Sequence, residues 1–197
     1  MSGDLRPIFE FMIELDRLKA VLRRTKPVGL ERYENSAEHS WQITLLALLL
    51  ADHASVPLDR LHVVEILLVH DIPEIDVGDQ IVYEGRSDTR HAAELQAARR
   101  VFGLLPEPRA EWCLERWMEF EARESNEARF AYAVDRLMPL LQNLANNGQS
   151  WRENGVSLEQ VLAVNAVMRD VLPSVWDQVR ARLGEASAKG LFGEPKR

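Results

Sequence analysis

Cysteine is nearly absent from this chain, since Cys113 is the only one among 197 residues. A lone thiol supports neither a disulfide framework within the chain nor a zinc site built from thiolates. The N-terminus also lacks the basic segment followed by an apolar run that marks a signal peptide. The sequence therefore predicts a protein of a reducing compartment, and we expect it to be cytoplasmic.

Positive charge and long apolar runs are scarce as well. Aspartate and glutamate outnumber lysine and arginine by 31 to 24, which gives a net charge of -7. A nucleic-acid polymer normally requires a basic face, which this composition does not favour. The longest apolar run, residues 43–51, is too short to cross a bilayer. We therefore expect neither nucleic acid nor membrane as a partner, and a small ligand instead.

No segment alternates apolar and polar residues for long enough to predict a β-strand. Apolar side chains instead recur every three or four residues along most of the chain, which is typical of amphipathic helices. With the capping signals, this pattern predicts eight helices that begin near residues 8, 36, 59, 88, 108, 125, 157 and 173. The predicted fold is an all-α, single-domain helical bundle over residues 1–187, followed by a flexible tail, 188–197.

The clearest chemical signal is His70 followed directly by Asp71. The pair ends the apolar run 63–69, which predicts a buried helix, and packing alone gives no reason for two ionisable groups there. Imidazole nitrogen and carboxylate oxygen are both ligands of divalent cations. His39 in the first turn of the second helix and Asp135 in an apolar register of the sixth are two further candidates. A helical bundle can bring four such side chains around one ion.

Other interpretations of these residues stay open at this level. A single histidine on an apolar helix, such as His39, is more often a core residue with a hydrogen-bond partner than a metal ligand. Asp135 could instead form an ion pair with the neighbouring Arg136. The remaining histidines lie in polar surroundings and are interpreted as surface residues: His53, His62 and His91.

The ordered set formed by His39, the His70–Asp71 pair and Asp135 resembles the H…HD…D signature of HD-domain metal-dependent phosphohydrolases, an all-α superfamily. The resemblance extends to residues 38–40, 70–74, 78–79 and 128–130, and is greatest for the branch that includes 5'-deoxynucleotidases. It implies that four residues bind one divalent ion: His39, His70, Asp71 and Asp135. It also implies that Glu74 and Asp79 act at the phosphate or its attacking water, and it suggests a homodimer.

The spacing of Glu74 gives this residue a chemical role beside the ion. Glu74 follows His70 by four residues and Asp71 by three, so a continuing helical turn would bring it over the same face. There it could accept a proton from water or donate one to a leaving oxygen. Pro73 makes the turn uncertain, and the alternative is a solvated acid.

Phosphate needs a positive partner in addition to the ion, and Arg23 and Arg24 at the end of the first helix are the candidates. The planar guanidinium group matches two phosphate oxygens. In the resembling nucleotidases an arginine at the corresponding helix end contacts the substrate phosphate, but the spacing here does not choose between the two. A basic pair at this place also complements the helix dipole.

The predicted function is a divalent-metal-dependent phosphomonoesterase that hydrolyses nucleoside 5'-monophosphates, preferably deoxyribonucleotides. The ligand set suits manganese, cobalt, iron, nickel, zinc or magnesium. One alternative is an HD-domain hydrolase of another small phosphoester or nucleotide, and another is a noncatalytic binding module with a structural ion. Oxidative chemistry would need a second iron held by further histidines, which do not fall at obvious positions for it.

Overall fold

The computed structural model describes residues 4–85 and 87–194, and the regular elements within these residues are all helical. The prediction of an all-α fold is therefore confirmed. The α-helices are α1 (Arg6–Glu14), α2 (Ser36–Leu50), α3 (Arg60–Val69), α4 (Glu74–Val77), α5 (Asp88–Phe102), α6 (Arg109–Ala122), α7 (Asn126–Ala145), α8 (Gln149–Asn154), α9 (Leu158–Val164), α10 (Met168–Val171) and α11 (Pro173–Ala188). Three short 3-10 helices span Leu15–Ala20, Ala51–His53 and Val82–Glu84.

Several helix starts follow from local capping chemistry, as predicted. Asn35 and Glu38 form a reciprocal capping box at the start of α2, and Ser157 and Gln160 form another at the start of α9. The carboxylate of Asp59 accepts hydrogen bonds from the Leu61 and His62 N–H groups in the first turn of α3. These side chains satisfy backbone donors that have no partner within the helix, which is why such residues mark helix starts.

The first helix ends earlier than predicted. α1 stops at Glu14, the 3-10 helix Leu15–Ala20 follows, and Val21 has an extended conformation. The chain leaves the helix here because residues 21–25 pair with residues 34–36 through backbone hydrogen bonds such as Arg23 N–H to the Glu34 carbonyl, at 2.8 Å. Pairing with a segment about ten residues away leaves no trace in helical periodicity.

The segment between residues 146 and 173 is also more broken than predicted. It contains α8, which was not expected, and the single helix expected after Ser157 is divided into α9 and α10. α9 ends at Val164, and the side-chain amide of its C-cap, Asn165, donates to the Val161 carbonyl at 2.8 Å. A short polar side chain that bonds the preceding turn competes with continued helix formation.

Two hydrophobic clusters form the interior, and α3 contributes to both. The larger cluster joins α2, α3 and α7 with the C-terminal helices, and Ile43, Leu67 and Val134 within it are fully buried. The smaller cluster joins α3 with α1, α5 and α6. His39 on α2, His70 directly after α3 and Asp135 on α7 consequently lie where these three helices pack together.

The assignment of 188–197 as a flexible tail stays a prediction, and residues 195–197 lie outside the described part of the chain, as do residues 1–3 of the predicted domain. Within that segment, Phe192 stacks on Trp151 with ring centroids 4.6 Å apart, and the Gly193 N–H donates to the Val156 carbonyl at 2.9 Å.

No helix among the described residues is both long and apolar enough to cross a membrane.

Candidate metal centre

The structure brings together the four residues predicted to bind metal. His39, His70 and Asp135 are buried, and each offers a ligand atom that lies within 4.8 Å of the others. The Nε2 atom of His39 is 2.9 Å from Oδ1 of Asp135. The Nε2 atom of His70 is 3.0 Å from Oδ1 of Asp71 and 3.9 Å from Oδ1 of Asp135. Two imidazoles and two carboxylates thus converge from α2, the end of α3 and the middle of α7.

The orientation of His70 fits a divalent cation at this point. Its Nδ1 lies 2.8 Å from the carbonyl of Leu67, which can only accept a hydrogen bond, so Nδ1 carries a proton. Its Nε2 faces the carboxylates of Asp71 and Asp135, and this buried atom makes no hydrogen bond to any described residue. Burial lowers the pKa of His70, but the charges of Asp71 and Asp135 outweigh it and raise the pKa. A divalent cation at this point would replace the Nε2 proton and face the same two carboxylates. Metal-binding histidines commonly show this arrangement, with the second nitrogen donating to a backbone carbonyl.

Both carboxylates in the cluster are held in their ionised form. Burial alone would raise the pKa of Asp71, but His70 and Arg23 outweigh it and lower the pKa to about 2. Burial likewise opposes ionisation of Asp135, whose pKa is nevertheless well below its usual range because of Arg136, His39 and His70. Charged oxygens are the form that binds a metal ion.

The carboxylate of Asp135 contacts both Arg136 and His39. Its Oδ2 accepts from Nε of Arg136 at 3.0 Å, while its Oδ1 faces His39. The ion pair considered from the sequence is therefore present, and it leaves the other oxygen directed at the histidines. The guanidinium of Arg136 also lies on the wall of the cleft beside the cluster.

Glu74 reaches the same cleft although α3 does not continue to it. α3 ends at Val69, residues 70–73 form a turn, and Glu74 begins α4. Ser36 Oγ donates to Oε2 of Glu74 at 2.6 Å. Burial raises the pKa of this carboxyl well above its usual range, and the nearby charges of Asp71 and Asp79 raise it further. A carboxyl group with a raised pKa is suited to proton transfer.

Asp79 lies close to Arg23 and Glu74 and lines the smaller cavity beside the cleft. It follows Gly78, whose φ of 73° belongs to the left-handed region that glycine adopts without strain. Arg90 fixes this turn by donating to the carbonyls of Val77 and Gly78. Burial raises the pKa of Asp79, and Arg23, whose Nη1 lies 3.5 Å from its Oδ1, partly offsets that effect.

Only one of the two candidate arginines lies among these groups. Arg23 is buried, and its Nη1 donates to Oδ2 of Asp71 at 3.0 Å. Burial would lower the pKa of Arg23, but the carboxylates of Asp71 and Asp79 raise it, so the guanidinium stays charged. Arg24 is exposed, and both arginines line a smaller adjoining cavity.

The cluster opens into a cleft of about 250 Å³, large enough for a small molecule. His70, Asp71, Glu74 and Asp135 lie at its inner end. The remaining walls include aromatic and basic side chains: Trp117, Phe120, Tyr132, Arg123 and Arg136. A second cavity of about 50 Å³ shares residues 80–82 with it.

The three other histidines lie apart from the four converging ligands. His53 is exposed, and His62 Nε2 lies 2.7 Å from Oε2 of Glu119. His91 lines the cleft and stacks on Trp117, with ring centroids 6.1 Å apart. With Glu94 and Glu121 it forms a second, partly exposed cluster of side chains of metal-binding types.

Sequence analysis missed several buried polar residues at the site. Glu34 contacts His39, Ser36 donates a hydrogen bond to Glu74, and Gln142 on α7 donates one to Glu34. Glu34 belongs to a segment that separates predicted helices, where a charged residue is expected to be solvated. Only the tertiary contacts reveal its burial.

Comparison with known proteins identifies the family. Residues 15–176 match the model of the family described as "HD domain". The chain belongs to the HD-domain family. This confirms the predicted membership of the HD-domain superfamily of metal-dependent phosphohydrolases, which was inferred from His39, the His70–Asp71 pair and Asp135.

The HD-domain chain is similar in structure to a "predicted metal-dependent phosphohydrolase" from Magnetospirillum magnetotacticum MS-1. The TM-score is 0.90 at 39% sequence identity, over 96% of this chain and 98% of the other. The human 5'-deoxynucleotidase HDDC2 is 28% identical over 137 residues, which cover 66% of this chain and 66% of that protein. The yeast 5'-deoxynucleotidase YBR242W is 27% identical over 143 residues, covering 68% and 58%. The matched regions thus span two thirds or less of these two relatives.

Proposed function

We propose that this protein is a divalent-metal-dependent phosphomonoesterase that hydrolyses nucleoside 5'-monophosphates, with deoxyribonucleotides preferred. The observation that carries the proposal is the position of His70 Nε2, a buried atom without a hydrogen bond to any described residue, 3.0 Å from Oδ1 of Asp71 and 3.9 Å from Oδ1 of Asp135. The names of the human and yeast relatives support the choice of a deoxynucleotide as the substrate.

His39, His70, Asp71 and Asp135 would hold one ion, for which manganese, cobalt, iron, nickel, zinc or magnesium is suitable. When bound, such an ion lowers the pKa of water and neutralises charge on a phosphoryl oxygen. Attack by water forms a new P–O bond while the bond from phosphorus to the sugar oxygen breaks, and the products are a nucleoside and inorganic phosphate.

Glu74 and Asp79 are the proposed catalytic carboxylates. Glu74 accepts a proton from the attacking water or donates one to the leaving oxygen, and Ser36 orients its carboxyl group through the 2.6 Å hydrogen bond. Asp79, held after the turn that Arg90 fixes, helps to place water or the sugar. Both arginines line the adjoining cavity, and Arg23 is the preferred phosphate contact because its guanidinium also contacts the carboxylates of Asp71 and Asp79.

A phosphate-release screen over nucleotides and other small phosphoesters, run with each divalent metal in turn, tests this function. We expect release from nucleoside 5'-monophosphates, with a higher kcat/KM for the deoxy member of each pair. His70→Ala and Asp135→Asn should lose bound metal and activity together. Glu74→Gln should retain metal and lose activity by about 10²–10⁴-fold, the usual contribution of a positioned acid or base.

Glu159→Gln, on the first turn of α9, is the matched control for Glu74→Gln and should behave like the wild type. Metal-loaded protein that releases no phosphate from any nucleotide would favour the noncatalytic binding module instead. Full hydrolysis by metal-stripped protein would contradict the proposal outright, and oxygen consumption by iron-loaded protein would point to oxidative chemistry.

We also propose a homodimer formed through an apolar surface on α1, α2 and α3. We define this α1–α2 surface by five exposed side chains that line one groove: Met12, Trp41, Leu45, Leu48 and Leu68. Monomeric proteins rarely expose contiguous apolar patches of this kind.

We further propose a cytoplasmic location, because the lone Cys113 is buried and forms no disulfide bond.

A further inference from the structure

Glu34 is a buried carboxylate that the proposed reaction does not use. Its side chain is 1% exposed, and it precedes the N-cap of α2 by one residue. Its backbone is tied on both sides to the segment that carries Arg23, because the Glu34 N–H donates to the Thr25 carbonyl at 2.9 Å and its carbonyl accepts from the Arg23 N–H at 2.8 Å. These two hydrogen bonds hold the Glu34 backbone beside the segment that carries Arg23.

The two carboxylate oxygens of Glu34 contact three separate parts of the fold. Oε1 accepts a hydrogen bond from Nε2 of Gln142 on α7. Oε2 lies 3.2 Å from Nδ1 of His39 on α2 and 3.5 Å from Nε of Arg23, and it accepts from Oγ1 of Thr25 at 3.4 Å. Burying a carboxylate is costly unless strong partners surround it, and these partners supply the compensation.

The contact with His39 has a consequence for metal binding. Nε2 of His39 faces Asp135, so this nitrogen is the one available to an ion. A neutral imidazole that binds through Nε2 carries its proton on Nδ1, and that proton needs an acceptor. Nδ1 is buried and makes no full hydrogen bond to any described residue, but Oε2 of Glu34 is close enough for a small rotation of the ring to complete one.

We propose that Glu34 is a positioning residue that fixes the tautomer and orientation of His39 and holds Arg23 beside the metal centre. Through these two contacts Glu34 links His39, a proposed metal ligand, to Arg23, the proposed phosphate contact. A carboxylate behind a metal-binding histidine restrains the ring and makes its free nitrogen a better ligand. The inference rests on the proposed function in two respects, since it takes His39 as a metal ligand and Arg23 as the phosphate contact.

The test compares the wild type with Glu34→Gln and with the control Glu31→Gln, the same substitution three residues earlier on a fully exposed side chain. The dissociation constants for Mn²⁺ and Co²⁺ are measured by equilibrium dialysis at fixed pH, and the Co²⁺ absorption spectrum reports ligand geometry. We expect Glu34→Gln to weaken binding by about 10–100-fold, the usual effect of losing such a partner, and to alter the spectrum. Glu31→Gln should change neither quantity.

A purely structural role for Glu34 would lower the melting temperature of the metal-free protein and leave the dissociation constants unchanged, which would overturn the inference. A wild type that binds no metal would instead contradict the proposed function. If Glu34→Gln does not fold, Glu34→Asp serves in its place, because it keeps the charge and withdraws the oxygen from His39. Wild-type metal affinity in that variant would also overturn the inference.

Discussion

At the scale of single residues, Arg23 and Arg24 show how neighbours of one type acquire different roles. Residues 21–25 are extended and pair with residues 34–36. Alternate side chains of an extended segment point to opposite sides. Arg23 and Thr25 are accordingly buried at 8% exposure, whereas Leu22 and Arg24 are exposed. The alternation directs one arginine to the metal centre and the other away from the cluster.

We expect Arg23→Lys to raise the KM for a nucleoside monophosphate by about tenfold or more, because lysine keeps the charge but loses the planar pair of donors. Arg24→Lys, the matched control, should stay within about twofold of the wild type. Steady-state kinetics of phosphate release measure both values. The opposite order of effects would identify Arg24 as the phosphate contact.

Burial also determines how fast the single thiol, Cys113, reacts with an alkylating reagent. Burial raises the pKa of Cys113 to about 11, so the reactive thiolate is scarce at neutral pH. We expect the native protein to react slowly with iodoacetamide at pH 7.5, and faster as the pH rises towards 11. Mass spectrometry follows the modification, and protein unfolded in urea is the control that should react rapidly. Equal rates for native and unfolded protein would contradict the burial of this residue.

At the scale of elements, the start of α2 determines where the first proposed ligand lies. The capping box of Asn35 and Glu38 sets the first turn, and the His39 N–H donates to the Asn35 carbonyl at 3.1 Å. His39 is thus placed one turn inside a helix whose first residue is specified by local sequence. An error of one residue at this start would rotate the imidazole by about 100° around the helix axis.

We expect Asn35→Ala to lower the free energy of unfolding by about 1 kcal/mol, the usual cost of losing an N-cap, and to weaken metal binding as well. Ser157→Ala removes the corresponding cap of α9, outside the four-ligand cluster, and should cost a similar amount of stability with unchanged metal affinity. Urea unfolding with a chelator present gives the stabilities, and equilibrium dialysis gives the affinities. Equal metal affinities in the two variants would show that the cap does not position His39.

At the scale of the whole molecule, the surface of the helical bundle is apolar on the outer side of α2, which no other helix of residues 4–85 and 87–194 covers. Trp41 is 66% exposed on the α1–α2 surface, next to Leu45 and Leu48. α2 is apolar around most of its circumference, and such a helix is normally covered on both sides. A second copy of the chain would cover this outer side in the proposed homodimer.

We therefore expect the wild type to be dimeric and Trp41→Glu to be monomeric, because a buried, unpaired charge disfavours association. Trp112→Glu alters another partly exposed tryptophan, on α6, and should leave the dimer intact. Light scattering coupled to size-exclusion chromatography measures the mass of each protein. A monomeric wild type at tens of micromolar concentration would exclude this interface.

The sequence by itself determined the helical class and the principal candidates of the site. Apolar periodicity and the caps at Asn35 and Ser157 are local signals, so most helix starts could be predicted. His70, Asp71 and Asp135 were recognisable because ionisable groups within apolar helical runs have no packing role there. The order of these residues along the chain was sufficient to indicate the HD-domain family.

Only the tertiary structure decided which polar residues contact those candidates. The burial of Glu34, and the choice of Arg23 over Arg24, depend on pairing between residues 21–25 and 34–36. Glu74 reaches the cleft through a turn at residues 70–73 and the start of α4, and its spacing from His70 left open whether the helical turn continues past Pro73. Burial and orientation outside regular helices are produced by contacts between distant segments, and no periodicity in the sequence records such contacts.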